Sequence, residues 1–130
     1  MAEPVLLILG SGPKIGACLV EAFAAKGYKV ALVSRSPRES ATAAGHLHIT
    51  ANFEDPQVVE GVFAKVKEEL GIPSVVIYNC ATKTWTESAS DPFGTVSADN
   101  MLRSLNVNTI SPYAAAQQAV EGFKDRKSVV

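Results

Sequence analysis

The segment Gly10-Ser11-Gly12-Pro13-Lys14-Ile15-Gly16 sits directly between an apolar run and an amphipathic stretch. The chemistry open to such a turn is phosphate binding. Where a strand turns into a helix, free backbone N–H groups meet the positive end of the helix dipole, and a pyrophosphate needs both. Glycine triplets alone are common, so the flanking elements carry this reading. A tight turn with no ligand is the competing one. A second candidate set follows at Ser34-Arg35-Ser36, with Arg38 close behind. Guanidinium and hydroxyl groups at the start of a helix suit a phosphate dianion.

The elements that must position these residues alternate along the chain. Val5-Leu6-Leu7-Ile8-Leu9 is apolar on both faces, as a strand inside a parallel sheet must be. Ile15, Leu19, Val20 and Phe23 then recur at helical spacing up to Lys26-Gly27. A second strand covers Lys29 to Ser34. Ser36-Pro37-Arg38-Glu39 has the order of a capping box with proline at the first helical position, and predicts a short helix reaching Ala44 at most. A third strand lies near His46 to Phe53. Asp55-Pro56 opens a helix whose apolar face is Val58, Val59, Val62, Phe63, Val66 and Leu70, stopped by Gly71. A fourth strand, Ser74 to Tyr78, ends at Asn79-Cys80-Ala81. A polar loop from Thr82 to Thr95 follows, then helical segments over roughly Ser97 to Leu105 and Ser111 to Phe123, with Tyr113, Ala116, Val120 and Phe123 on one side of the second. The alternation predicts one α/β domain over residues 1–130, a doubly wound parallel sheet of about four strands with helices on both faces.

Composition narrows the function. With 130 residues, 47% of them hydrophobic, the chain can bury a sizeable core. A formal net charge of −1 offers no basic field for nucleic acid. No apolar run is long enough to span a bilayer, and the first residues lack the layout of a signal peptide, so a cytoplasmic location is the expectation. Cys18 and Cys80 stand far apart in apolar surroundings and read as buried thiols rather than a disulfide, metal site or nucleophile. His46 and His48 share one face of the third strand, and a pair without a third ligand reads as no metal site. Trp85, among Thr82, Thr84 and Thr86, is placed either to cover a ligand or to pack locally. Lys14 reads equally as a cation beside a pyrophosphate and as a solvated turn lysine.

In order and separation, four landmarks resemble the short-chain dehydrogenase/reductase family over nearly the whole chain. Leu9-Gly10-Ser11-Gly12-Pro13-Lys14-Ile15-Gly16 is similar to the family's Thr-Gly-x-x-x-Gly-x-Gly turn, matching at Gly10 and Gly16, with Lys14 where the pattern has glycine. Tyr78-Asn79-Cys80-Ala81 stands where the family has Asn-Asn-Ala-Gly, matching at Asn79. Asn52, followed by Phe53, falls at the adenine-contacting acidic position. Asn106-Val107-Asn108-Thr109-Ile110-Ser111 resembles the segment carrying the family's catalytic asparagine, which falls on Asn108. The resemblance implies a Rossmann-like fold whose cofactor touches Gly10, Ser11, Gly12, Lys14, Ile15, Gly16, Ser34, Arg35, Ser36, Asn52, Phe53, Asn79, Cys80 and Ala81. It also implies that Asn108 kinks its helix and holds a water of the proton relay.

Charge sets the expected cofactor preference. Dinucleotide folds that prefer NAD place an acid at the end of the second strand, to accept from the ribose hydroxyls. Here Arg35 stands between serines, so NADP(H) is expected over NAD(H), with Arg35 as the main partner of the 2′-phosphate and a solvated arginine as the alternative.

The family's acid/base pair, a tyrosine with lysine four residues on, has no counterpart in these 130 residues. Tyr28 is followed at that offset by Leu32, Tyr78 by Thr82 and Tyr113 by Gln117, and all three tyrosines read as packing residues. Ser128-Val129-Val130 reads as the first residues of a fifth strand. The fold is therefore expected to be incomplete relative to the full family fold, with an apolar edge at Val75 to Tyr78 that invites self-association there or through the last helix. Three readings of function remain: an NADP(H)-binding module that does not turn over a carbonyl substrate alone, an oxidoreductase completed by a partner chain, and a non-redox interaction module that kept the fold.

Overall fold

A computed structural model describes residues 3–82, 94 and 96–127 of the chain. The elements are β1 (Val5–Leu9), α1 (Ile15–Ala25), β2 (Lys29–Ser34), α2 (Glu39–Ala43), β3 (Leu47–Thr50), α3 (Val58–Glu69), β4 (Val75–Tyr78), α4 (Ala98–Leu105), a π-helical turn (Asn106–Ile110) and α5 (Ser111–Lys127). Four parallel strands form one sheet in the order β3-β2-β1-β4. The chain winds outward from β1 through β2 to β3, then returns to the other side of β1 for β4. That reversal opens a crevice at the carboxyl ends of β1 and β4, where open parallel sheets take ligands.

Alternation along β1 builds both faces of the core. Val5, Leu7 and Leu9 point toward α3 and α5, where Val59, Val62, Phe63 and Val66 meet Ala115 and Ala119. Leu6 and Ile8 point the other way, into a smaller cluster with Val30, Leu32 and Ala41, covered by Leu19, Val20 and Phe23 of α1. Every residue of β1 is buried, and burying each such side chain contributes roughly 1.5–3 kcal/mol. The register Leu9↔Val33 and Leu9↔Tyr78 brings the ends of β2 and β4 level with the glycine turn.

Several elements differ from the expectation. The helix after β2 begins at Glu39, with extended Arg38 as its cap residue and no side-chain capping bond, so Ser36 does not close a capping box. Instead, Ser34 Oγ bonds the Ser36 carbonyl. α3 begins at Val58, and Asp55 Oδ1 accepts from the Gln57 amide in the turn before it. The last two helical segments are one continuous rod, because the π turn joins them.

The outward surfaces hold the other corrections. Ile15 and Cys18 of α1 are exposed, since the inward stripe runs through Leu19, Val20 and Phe23. Tyr113 and Val120 are exposed too, because α5 packs its Ser111-Ala115-Ala119 edge on the core. Tyr28 does pack as expected, edge-on against Phe23 with ring centroids 5.0 Å apart. Among the described residues β4 is an edge strand and only half-buried, which agrees with the expected apolar edge. The proposed start of a fifth strand at Ser128 lies outside the described residues, as does Trp85.

Candidate functional site

The glycine turn starts from a conformation that only glycine adopts freely. Gly10 has φ +94°, and a Cβ there would lie 2.2 Å from Cys80 Sγ and 2.8 Å from the Asn79 carbonyl oxygen. The end of β4 can therefore lie directly against the end of β1. Gly10 and Ser11 both donate to the Val33 carbonyl at 2.9 Å, tying the turn to β2. Gly16 is buried under Ser11, where a Cβ would come within 2.8 Å of its Oγ. Lys14, at the position where the family pattern has glycine, takes φ −98°. Its backbone therefore asks for nothing that a side-chain-bearing residue cannot give.

A crevice of about 300 Å³ opens over this junction. Gly10, Ser11 and Gly12 form its floor, and Ser34, Arg35, Ser36 and Arg38 form one wall. Asn52 and Phe53 from the end of β3, with Asn79, Cys80 and Ala81 from the end of β4, line the rest. Of the cofactor positions read from sequence, Lys14, Ile15 and Gly16 lie outside this lining; Lys14 and Ile15 are exposed on the start of α1 and Gly16 is packed beneath it.

Bonds that the sequence did not disclose hold the walls. Arg38 Nη2 donates to the Ser11 carbonyl at 2.9 Å, clasping the glycine turn from the α2 side. Opposite, Asn108 makes a reciprocal pair with the backbone of Thr82: its Oδ1 accepts from the amide at 3.0 Å and its Nδ2 donates to the carbonyl at 2.9 Å. Asn106 Nδ2 donates to the Glu54 carbonyl at 2.9 Å, and fully buried Ser111 donates to the Phe53 carbonyl at 2.7 Å. The Tyr78 hydroxyl bonds the Val107 carbonyl inside the π turn. Widening that turn frees carbonyls for such partners, which is why α-type bonding gives way to a π turn there.

Burial controls the titratable groups. It pushes the Tyr78 hydroxyl far above its ordinary range, with Cys80 adding to the effect, so the phenol remains protonated. Burial also pushes the Cys80 thiol up, against opposing pulls from Tyr78 and Arg35. Neither group is prepared to act as a base near neutral pH.

The residues present fit a dinucleotide. No side chain caps the amino terminus of α1, the space over Gly12 is open to at least 4 Å, and two guanidinium groups stand at the wall. The family model for short chain dehydrogenases matches residues 4–129. The chain belongs to the short-chain dehydrogenase/reductase family. A curated member from Cryptosporiopsis sp. (strain 8999), Short chain dehydrogenase/reductase dmxR12, is 33% identical over 134 residues, covering 95% of this chain and 53% of that protein. Among solved structures, TT0495 protein from Thermus thermophilus superposes with a TM-score of 0.79 at 27% identity, covering 95% of this chain and 52% of that one. A blue fluorescent protein from a metagenomic library, solved in complex with NADPH, gives 0.76 at 27%, covering 92% and 51%. The short-chain dehydrogenase/reductase from Serratia marcescens gives 0.77 at 23%, covering 93% and 51%, a likeness of fold. The chain spans about half the length of the curated relative and of these structures.

Proposed function

We propose that this chain is the NADP(H)-binding part of a short-chain dehydrogenase/reductase, and that these 130 residues bind the cofactor without turning over a substrate. One observation carries the preference for phosphate: Arg35 and Arg38 line the crevice beside Ser34 and Ser36, at the place where an NAD-preferring fold keeps an acid. Gly10, Ser11 and Gly12 would pass beneath the pyrophosphate, aided by the exposed cation of Lys14 and the uncapped first turn at Ile15 and Gly16. Asn52 and Phe53 would bound the adenine, with Asn79, Cys80 and Ala81 on the nicotinamide side.

Bound NADPH supplies a hydride, and the family reaction built on it is carbonyl reduction or the reverse alcohol oxidation. Asn108 would hold a water of the proton relay, while its two bonds to Thr82 fix the backbone at the mouth of the crevice. The tyrosine and lysine that would exchange the proton are absent from this sequence.

Calorimetric titration of the folded chain with NADPH and NADH tests the proposal. NADPH binding at least about tenfold tighter is the expected outcome, and Arg35→Asp should remove most of that advantage, about 1–3 kcal/mol for a charge-assisted phosphate contact. Equal losses for both cofactors would defeat the assignment of Arg35. Binding of neither cofactor by a folded chain would favour the non-redox interaction module.

A second reading, completion by further protein, is favoured by the half-buried edge strand β4 and by Leu102, Leu105, Tyr113 and Phe123 exposed along the α4–α5 rod. Carbonyl reduction appearing only when a second polypeptide is added would support it.

A further inference from the structure

The phosphate wall has a second layer that the family resemblance does not use. Ser34, which lines the crevice, lies 2.7 Å from Nε2 of His48 on the neighbouring strand β3. The Ser34 hydroxyl has one proton, and it is directed to the Ser36 carbonyl. The bond from His48 therefore runs from Nε2–H to Ser34 Oγ, which fixes the tautomer. Nδ1 is left as the position that gains or loses a proton, so the ring can charge without breaking its hold on Ser34.

Among the described residues, Arg38 is the charge that bears on the ring, and His46, just ahead of the same strand, is its titratable neighbour. Arg38, from the start of α2, faces His48 across a shallow recess that both line, and Glu39 beside it brings the opposite sign. Ser34 and Ser36 on the β2 side are uncharged, and Arg35 bears on Cys80 instead. In the free protein, burial first and Arg38 second hold the imidazole below its ordinary 6.5. An anion neutralising Arg38 would lift the second of these.

We propose that His48 is a positioning residue that couples proton uptake to occupation of the phosphate end of the crevice. Its ring orients Ser34, and its charge responds to a phosphate dianion placed against Arg38. The inference rests on the NADP(H) reading above and deepens it: the ligand group recognised is the 2′-phosphate, and the contribution of His48 to its recognition strengthens as the pH falls through the imidazole range. The sign follows from linkage. Binding that raises the pKa of a group takes up a proton wherever the free protein leaves that group neutral, so affinity gains as pH falls.

The test is an NMR titration of the His48 imidazole, assigned by comparison with His48→Gln, in the free chain and in the presence of saturating NADP⁺ or NAD⁺. NADP⁺ should move the His48 titration upward by about half a pH unit and NAD⁺ should not. His48→Gln retains a donor for Ser34 but cannot titrate. It should bind NADP⁺ within about threefold of the parent at pH ~8, and fall behind the parent by about a further threefold at pH ~5.5. Both proteins share the titration of the phosphate itself, so their difference isolates the ring. His48→Ala should bind NADP⁺ more weakly at both pH values, because Ser34 loses its partner. An unmoved His48 in a chain that prefers NADP⁺ would overturn this inference and leave the cofactor reading standing. No preference for NADP⁺ over NAD⁺ at pH ~8 would overturn both.

Discussion

The two walls of the crevice are built on opposite principles. On the β1–β2 side, backbone bonds from Gly10 and Ser11, the clasp from Arg38 and the Ser34 bonds to Ser36 and His48 set the shape, while Arg35 and Ser36 remain exposed. On the β4 side, polar side chains distant in sequence are spent on backbone groups: Tyr78 on Val107, Asn106 on Glu54, Asn108 on Thr82 and Ser111 on Phe53. A wall proposed to recognise an anion must keep a cation exposed to it, as Arg35 is, whereas a wall that fixes geometry gains by satisfying everything it buries. Substitutions on the first wall should therefore change affinity with little change in stability. On the second, stability should fall first.

The walls meet at Gly10, and the largest effect is expected there. Gly10→Ala forces a Cβ to within 2.2 Å of Cys80 Sγ and 2.8 Å of the Asn79 carbonyl, at a φ of +94° that alanine resists. A loss of more than about 2 kcal/mol in urea unfolding is expected, together with loss of NADPH binding. Adding Cys80→Ala should restore only part of the stability, because the sulfur clash is relieved while the Asn79 backbone and the strain remain. Full recovery in the double variant would show that packing, and not backbone conformation, requires glycine here.

Next comes Ser111→Ala, which touches the second wall alone. The side chain is fully buried and its hydroxyl satisfies the Phe53 carbonyl. Leaving that carbonyl unpaired costs about 1–3 kcal/mol. Affinity for NADPH, measured on the folded fraction, should change by less than about threefold. A larger loss of affinity than of stability would reverse the contrast between the walls.

Legibility in the sequence follows the same division. The strands and the first wall could be read because they are local: an apolar run, a glycine turn and an arginine between serines are contiguous signals. Arg38 was visible as a neighbour of Arg35, but its clasp on Ser11 spans residues far apart in the chain. The second wall resisted reading because tertiary bonds decide it. Asn106-Val107-Asn108-Thr109-Ile110 has poor helix formers and resembles a break between helices, yet the bond from Tyr78, the reciprocal pair with Thr82 and the bond to the Glu54 carbonyl hold it as a π turn within one rod. Apolar neighbours in sequence were a poor guide to Cys18, which lies one residue off the inward stripe that begins at Leu19.

The two cysteines supply the finest test of the contrast. Cys18 is exposed on α1, whereas Cys80 is half-buried beneath Gly10, and its burial holds the thiol protonated. Iodoacetamide at pH ~7.5 should therefore alkylate Cys18 first, with Cys80 slower by about tenfold or more, as read by peptide mass spectrometry. NADPH should slow Cys80 further, since that residue lines the crevice, and leave the Cys18 rate unchanged. If Cys80 reacts as fast as Cys18 in the folded chain, the end of β4 opens readily, and the second wall is not the rigid partner that its bonds describe.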